Sequence, residues 1–227
     1  MVILNIPRFE QRISKASGSC GPSSVQQVLY YYGIKKDLKE IMENMKLFDK
    51  GGTSDDGALG DYMLKQGFNV RIYTIDTKKF DPSWSKLGRK ELLKKLKKSK
   101  DVSRGFKKYA YEVLIDFLKH GGKIEFKPIS LAMIKKYLDR GIPLLAGVDD
   151  SLLYGVKRSR KTFYDDDIKG KVWGHELVLA GYKKDKLLVV DPADTNPFTK
   201  SRKYFLNAND LLANIHSHGG YVIVASK

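Results

Sequence analysis

The sequence predicts an α+β protein, with a helical lobe packed against an antiparallel sheet. Three observations predict it. Apolar residues recur at helical spacing through the first two-thirds of the chain, as in Val25, Val28, Leu29 and Tyr32. Strand-like apolar runs collect in the last third, in VWGHELVLAGY, KLLVV and YVIVA. The 227 residues suffice for one large domain or two small lobes, with a core that needs no disulfide or metal to hold it.

Taken in order, residues 1–19 are an irregular lead-in ending in the small, polar SKASGS. A helix follows in CGPSSVQQVLYYYG, with Pro22 suited to its first turn and Gly33 to its stop. Asp37 and Glu40 form a capping pair for a second helix, whose apolar face is Leu38, Ile41, Met42 and Met45. The loop GGTSDDG leads into a third helix at 58–66, closed by Gly67. FNVRIYTI alternates as a strand does. RKELLKKLKK and FKKYAYEVLIDFLKHGG are helices, and KIEFKP is a short strand. SLAMIKKYLDRG is a capped helix, and IPLLAGV reads as a buried strand. A polar loop spans 149–171, and a helix around NDLLANI separates the last two strands.

Charge is unevenly placed. The chain holds 42 Lys and Arg against 26 Asp and Glu, a net of +16. Residues 78–108 hold 13 basic and 3 acidic side chains, a net of +10, which leaves +6 for the other 196 residues. The basic balance therefore belongs to one segment and argues against a whole fold built to grip a polyanion. Apolar residues make up 42% of the chain, too many for disorder. No apolar run approaches the ~18–20 residues of a membrane span, and MVILNIPRFEQR lacks the features of a secretory signal, so the expectation is a soluble, cytoplasmic protein. The single cysteine excludes an internal disulfide and a multi-cysteine zinc site; neither metal nor cofactor is expected.

That cysteine, Cys20, sits at a helix start between small polar residues, where unpaired N–H groups favour an anion. The helix supplies only ~0.3–1 kcal/mol, so a thiolate needs an imidazolium beside it. The competing reading is a buried cysteine acting as a small hydrophobe. Four histidines are available. His120 lies at a helix C-terminus and suits a capping role. His216 and His218 form an H-x-H pair with no evident third metal ligand. His175 begins an apolar strand after a glycine that leaves room for close approach; it is either a base or a hydrogen-bonded core histidine. Asp191 ends the next strand, KLLVV, and a hairpin through GYKKDK brings it near His175, where a carboxylate can hold an imidazole in one tautomer. Its competing role is a turn aspartate before proline. A lone cysteine with a distant histidine and acid is the pattern of a thiol nucleophile.

The stretches SCGPSSVQQVLYYYG, GGTSDDGALGDYMLKQGFNV, ISLAMIKKYLDRGIPLLAGVDDS and GHELVLAGYKKDKLLVVDPA together resemble papain-like cysteine peptidases, nearest to the double-glycine leader peptidases that process bacteriocin precursors and their stand-alone relatives. The resemblance implies a papain-like fold and amide-bond hydrolysis, with Cys20 as nucleophile, His175 as base and Asp191 as orienting acid. Ser14 stands where such enzymes place an oxyanion glutamine. Either the lead-in holds a small insertion and Gln11 serves, or the site lacks this donor. The expected organisation is one domain over 1–227: a helical lobe at 1–77 with the nucleophile, a basic helical insertion at 78–122, and a mostly β lobe at 123–227 with the histidine and acid. The expected activity is hydrolysis of a peptide or isopeptide bond through a Cys-His-Asp triad and a thioester, on a peptide or protein substrate. A transpeptidase or amidase on the same triad is an alternative. So is a non-catalytic scaffold that binds an acidic partner, such as nucleic acid, through 78–108. The loop 149–171, with Lys157, Arg158, Arg160 and Lys161 before Asp165–Asp167, either overhangs the cleft or is simply solvated.

Overall fold

The computed structural model of the chain describes residues 1–11, 18–157, 166–193 and 202–227. A two-residue strand, β1 (Val2–Ile3), precedes helix α1 (Cys20–Tyr31). Pro22 lies in the first turn of α1, where a missing N–H costs nothing, and Gly33 follows the helix at φ 80°. Asp37 caps α2 (Leu38–Asn44) by accepting from the Glu40 N–H at 2.7 Å. Helix α3 (Asp56–Lys65) and strand β2 (Asn69–Thr74) follow, then a 3₁₀ turn at Pro82–Lys86. The basic segment becomes α4 (Arg89–Asp101), which buries Leu92 and Leu96 and leaves most of its lysines in water, and it runs into α5 (Gly105–Lys119).

Beyond them come β3 (Lys123–Phe126), α6 (Leu131–Leu138), β4 (Leu144–Asp149) and α7 (Asp150–Tyr154). The chain ends with β5 (Gly174–Lys183), β6 (Lys186–Val190), β7 (Lys203–Asn207), α8 (Ala208–Ser217) and β8 (Tyr221–Ser226). Among the described residues no helix is long and apolar enough to cross a membrane.

The strands form one sheet in the order β3-β2-β8-β4-β5-β6-β7, with β1 on β5. Every pairing is antiparallel except β2 with β3. The helices α4 and α5 intervene between those two strands, and such a crossover leaves its strands parallel. Both faces of the sheet are covered. Leu145, Val178, Val190 and Ile223 pack with Val25, Leu29, Met63 and Phe117 from α1, α3 and α5. Their strand neighbours Ala146, Leu177, Val189 and Val222 point the other way, onto Ile134, Leu138, Leu211 and Ile215 of α6 and α8. Burial on both faces explains why KLLVV and YVIVA read as continuous apolar runs.

Three elements go beyond the sequence reading. β1 arises inside the lead-in because Gly181 lets it close on β5: a Cβ there would lie 2.4 Å from the Val2 carbonyl oxygen. α7 arises inside the loop read at 149–171, started by the Asp149 carboxylate, which accepts from the Ser151 and Leu152 N–H groups. β7 is an edge strand on β6. Ser14, Arg158, Arg160, Lys161 and Asp165 lie outside the described residues.

Candidate active site

Cys20 opens α1 and is partly exposed. Its flanking glycines have a packing reason. The Asp49 carboxylate accepts from the Gly51 and Thr53 N–H groups and turns the loop 49–54 onto the start of the helix. A Cβ at Gly18 would lie 2.9 Å from Thr53 Oγ1, and one at Gly21 would lie 2.4 Å from Ser54 Oγ.

His175 is the second residue of β5 and is buried. Its Nε2 lies 2.8 Å from Asp191 Oδ1; the Cys20 sulfur lies 3.8 Å from the Gly18 carbonyl and acts electrostatically on the ring. Burial alone would pull the imidazole down. The Asp191 carboxylate, its hydrogen bond and the Cys20 sulfur outweigh burial and hold His175 well above its ordinary value, so the ring is a cation at neutrality.

Asp191 is fully buried. Besides His175 it accepts from the Ala193 N–H at 2.8 Å, the Tyr154 hydroxyl at 2.8 Å and the Tyr204 hydroxyl at 2.7 Å. Burial pushes its carboxyl up, but the His175 charge and these donors prevail, and it is held below the usual carboxylate range.

A β-bulge decides which way Asp191 points. At the turn, β5 and β6 pair Lys183 with Lys186, Tyr182 with Leu187 and Gly181 with Leu188. Past Ala180 the register slips by one, so Leu179 faces Val189 and Val178 faces Val190. Continuing that register sets Asp191 opposite Leu177, on the face that carries His175. An unbroken ladder would set it opposite Val178, on the far face. β1 accompanies the bulge: the Leu4 N–H donates to the Ala180 carbonyl at 2.7 Å.

The lead-in continues beside Asp191. Arg8 donates to the Asp191 carbonyl at 3.5 Å and to the Ala193 carbonyl at 3.3 Å, and the Gln11 N–H donates to the Pro192 carbonyl at 2.9 Å. Gln11 Oε1 is buried without a hydrogen-bond partner among the described residues. Gln26 and Gln27 point elsewhere, to the Lys36 and Phe9 carbonyls.

The other histidines are engaged separately. His120 Nδ1 meets the Asp61 carboxylate, and His216 Nε2 meets the Ile129 carbonyl at 3.1 Å. His218 fills the space that Gly174 leaves, where a Cβ would lie 2.6 Å from its Cε1. Burial, with Lys79 nearby, pulls His218 down to about 4, so it is neutral beside the charged His175. Among the described residues no group of three or more His, Cys, Asp and Glu side chains is disposed to hold a metal ion.

A second buried polar network lies on the far face of β5. Lys79 Nζ is 2.8 Å from Asp55 and 2.9 Å from Asp56. Burial and the neighbouring Asp56 raise the Asp55 carboxyl, while Lys79 keeps Asp56 ionised. The Tyr221 hydroxyl reaches Glu176 Oε2 at 2.6 Å, and Glu176 Oε1 has no partner among the described residues. Burial pushes Glu176 up to about 8; Asp56 adds to this, and Tyr221, His175 and Lys79 oppose it. A carboxyl raised on folding favours the folded state while protonated and loses that advantage as pH climbs from its unfolded to its folded value. Glu176→Gln is therefore expected to melt like the parent at about pH 5 and at a higher temperature at about pH 9. Thermal melts at the two pH values check this.

Cys20, His175 and Asp191, which sequence reasoning picked out, thus come together from α1, β5 and the end of β6. Tyr154 and Tyr204 were missed. They lie in segments not read as regular structure, and nothing local marks a tyrosine as the donor to a distant carboxylate. Thiol, imidazolium and carboxylate together are groups that can serve as nucleophile, proton carrier and anchor.

The sequence profile of the Peptidase_C39 like family matches residues 3–213. No curated protein sequence matches the chain. Among solved structures, a putative C39-like peptidase from Bacillus anthracis superposes with a TM-score of 0.50 at 14% identity, covering 100% of this chain and 97% of that one. A double-glycine motif protease from an AMS/PCAT transporter, solved with a leader peptide, gives 0.46 at 13% identity, over 100% of this chain and 95% of that one. The peptidase domain of Streptococcus ComA, a bifunctional ABC transporter in a quorum-sensing pathway, gives 0.46 at 15% identity, over 97% of this chain and 98% of that one.

Proposed function

Because the chain belongs to the Peptidase_C39 like family and is a papain-like cysteine peptidase, we propose that Cys20, His175 and Asp191 hydrolyse a peptide bond through a thioester acyl-enzyme. The observation that carries this reading is the anchored ring: buried Asp191 holds His175 Nε2 at 2.8 Å, and the Cys20 sulfur acts electrostatically on the same imidazole.

In this mechanism the attacking species is the Cys20 thiolate, beside the protonated His175. Sulfur attacks the scissile carbonyl carbon, and the C=O electron pair moves onto oxygen. Collapse expels the amine, which takes its proton from His175 Nδ1, and a thioester remains. Water then attacks the thioester, gives a proton to His175 and releases the acid; the thiolate and imidazolium are restored. Asp191 keeps the ring in one orientation and balances its charge throughout. In this reading the unpaired N–H groups at the start of α1 bind the oxyanion.

Gln11 is the second oxyanion donor in this reading, placed by its backbone bond to Pro192. Gln11→Ala is expected to lower kcat by about 10²–10³ with little change in KM, as loss of one such donor does. Steady-state kinetics on any peptide the parent cleaves checks it.

Alkylation tests the central claim without a known substrate. Iodoacetamide is expected to modify Cys20 rapidly at about pH 6, and His175→Ala to abolish that reactivity. Modification that begins only above about pH 8 in the parent marks an ordinary thiol and overturns the proposal.

A further inference from the structure

The turn between α4 and α5 carries a feature that hydrolysis does not use. Val102 is 87% exposed there, and Phe106 and Phe48 are 40% and 43% exposed. Phe48 and Phe106 pack edge to face at 5.3 Å, and each touches Tyr109 at 5.5 Å. The result is a small apolar tip on the surface.

Positive charge surrounds it. Residues 97–108 hold six Lys and Arg against one Asp. Lys97, Lys98, Arg104, Lys107 and Lys108 are exposed. None of these five forms an ion pair among the described residues, whereas Lys94 pairs with Glu91 and Lys46 with Asp116. A protruding apolar tip ringed by free cations is the pattern that suits the boundary between acyl chains and anionic headgroups.

We propose that the α4–α5 tip docks on an anionic lipid bilayer, with Val102 and Phe106 entering the acyl boundary and the surrounding lysines and Arg104 meeting headgroup phosphates and carboxylates. Nucleic acid would use the same cations, but it offers no hydrocarbon to receive Val102, and the two phenylalanine rings are engaged with each other rather than set out for stacking on bases. Through Phe48 the tip also adjoins the loop that packs on the start of α1. The Phe48 N–H donates to the Thr53 carbonyl at 2.8 Å, and Thr53 lies against Gly18, two residues from Cys20.

Flotation with vesicles tests the idea on the full chain. Binding is expected to phosphatidylserine–phosphatidylcholine vesicles and not to phosphatidylcholine alone, and to weaken as salt rises. Combined Arg104→Gln, Lys107→Gln and Lys108→Gln should lower partition about 100-fold. Combined Val102→Ser and Phe106→Ser should lower it about 10-fold with every charge in place. The melting curve of each variant confirms folding, and the salt titration of the parent serves if one fails to fold. Equal binding to neutral vesicles, or none to anionic ones, overturns the proposal. So does a serine double variant that binds vesicles like the parent, or a surface that holds oligonucleotides while ignoring vesicles.

Discussion

Cys20→Ser is expected to lower kcat by about 10⁶, leaving turnover at the level of the site without its nucleophile. The replacement is nearly isosteric at a partly exposed position, so the melting curve should match the parent. The loss is chemical. A hydroxyl holds its proton far more tightly than a thiol, and His175, kept as a cation by buried Asp191, has no free pair with which to take it. Adding His175→Ala to Cys20→Ser should cost little more than Cys20→Ser alone, because in the proposed mechanism the two side chains act as one unit. Single-turnover kinetics of the two single variants and the double variant measure this. Losses that add in full would show that the pair does not act together.

Asp191→Asn is expected to lower kcat by about 10⁴ with KM nearly unchanged, and to destabilise the fold by about 3–5 kcal/mol. The carboxylate accepts from His175, Tyr154, Tyr204 and the Ala193 N–H. An asparagine offers one oxygen for these four donors and turns an NH₂ group toward another donor. The pH dependence distinguishes lost charge from lost packing. The lowered Asp191 contributes stability above its unfolded value, and that is lost as pH falls through its folded one. The raised His175 contributes stability below its unfolded value, and that is lost as pH rises through its folded one. The advantage of parent over variant should therefore be largest between about pH 4 and pH 6.5 and shrink on both sides. Denaturant titrations across that range read it directly; a pH-independent difference would assign Asp191 a packing role alone.

Much of the scaffold was legible locally. The apolar face of α1, the Asp37 cap and the stops at Gly33 and Gly67 are short-range chemistry written in adjacent residues. Hairpin counting also placed Asp191 near His175. What it missed was non-local. The parallel pairing of β2 with β3 depends on where a helical pair returns the chain. β1 and β7 are too short or too exposed to show a pattern. Tyr154 and Tyr204 reach Asp191 only after α7 and β7 have formed. The slip at Ala180 has no signature of its own, and only the neighbouring Gly181 marks the spot.

That slip imposes an odd–even rule on chain length. Losing one residue between His175 and Gly181 would turn the imidazole and its carboxylate to opposite sides, while losing two would restore their shared side at a shifted position. The turn at Lys184 and Asp185, outside that interval, is under no such constraint. Insertions that spare the enzyme should cluster there, and single-residue deletions upstream should silence it.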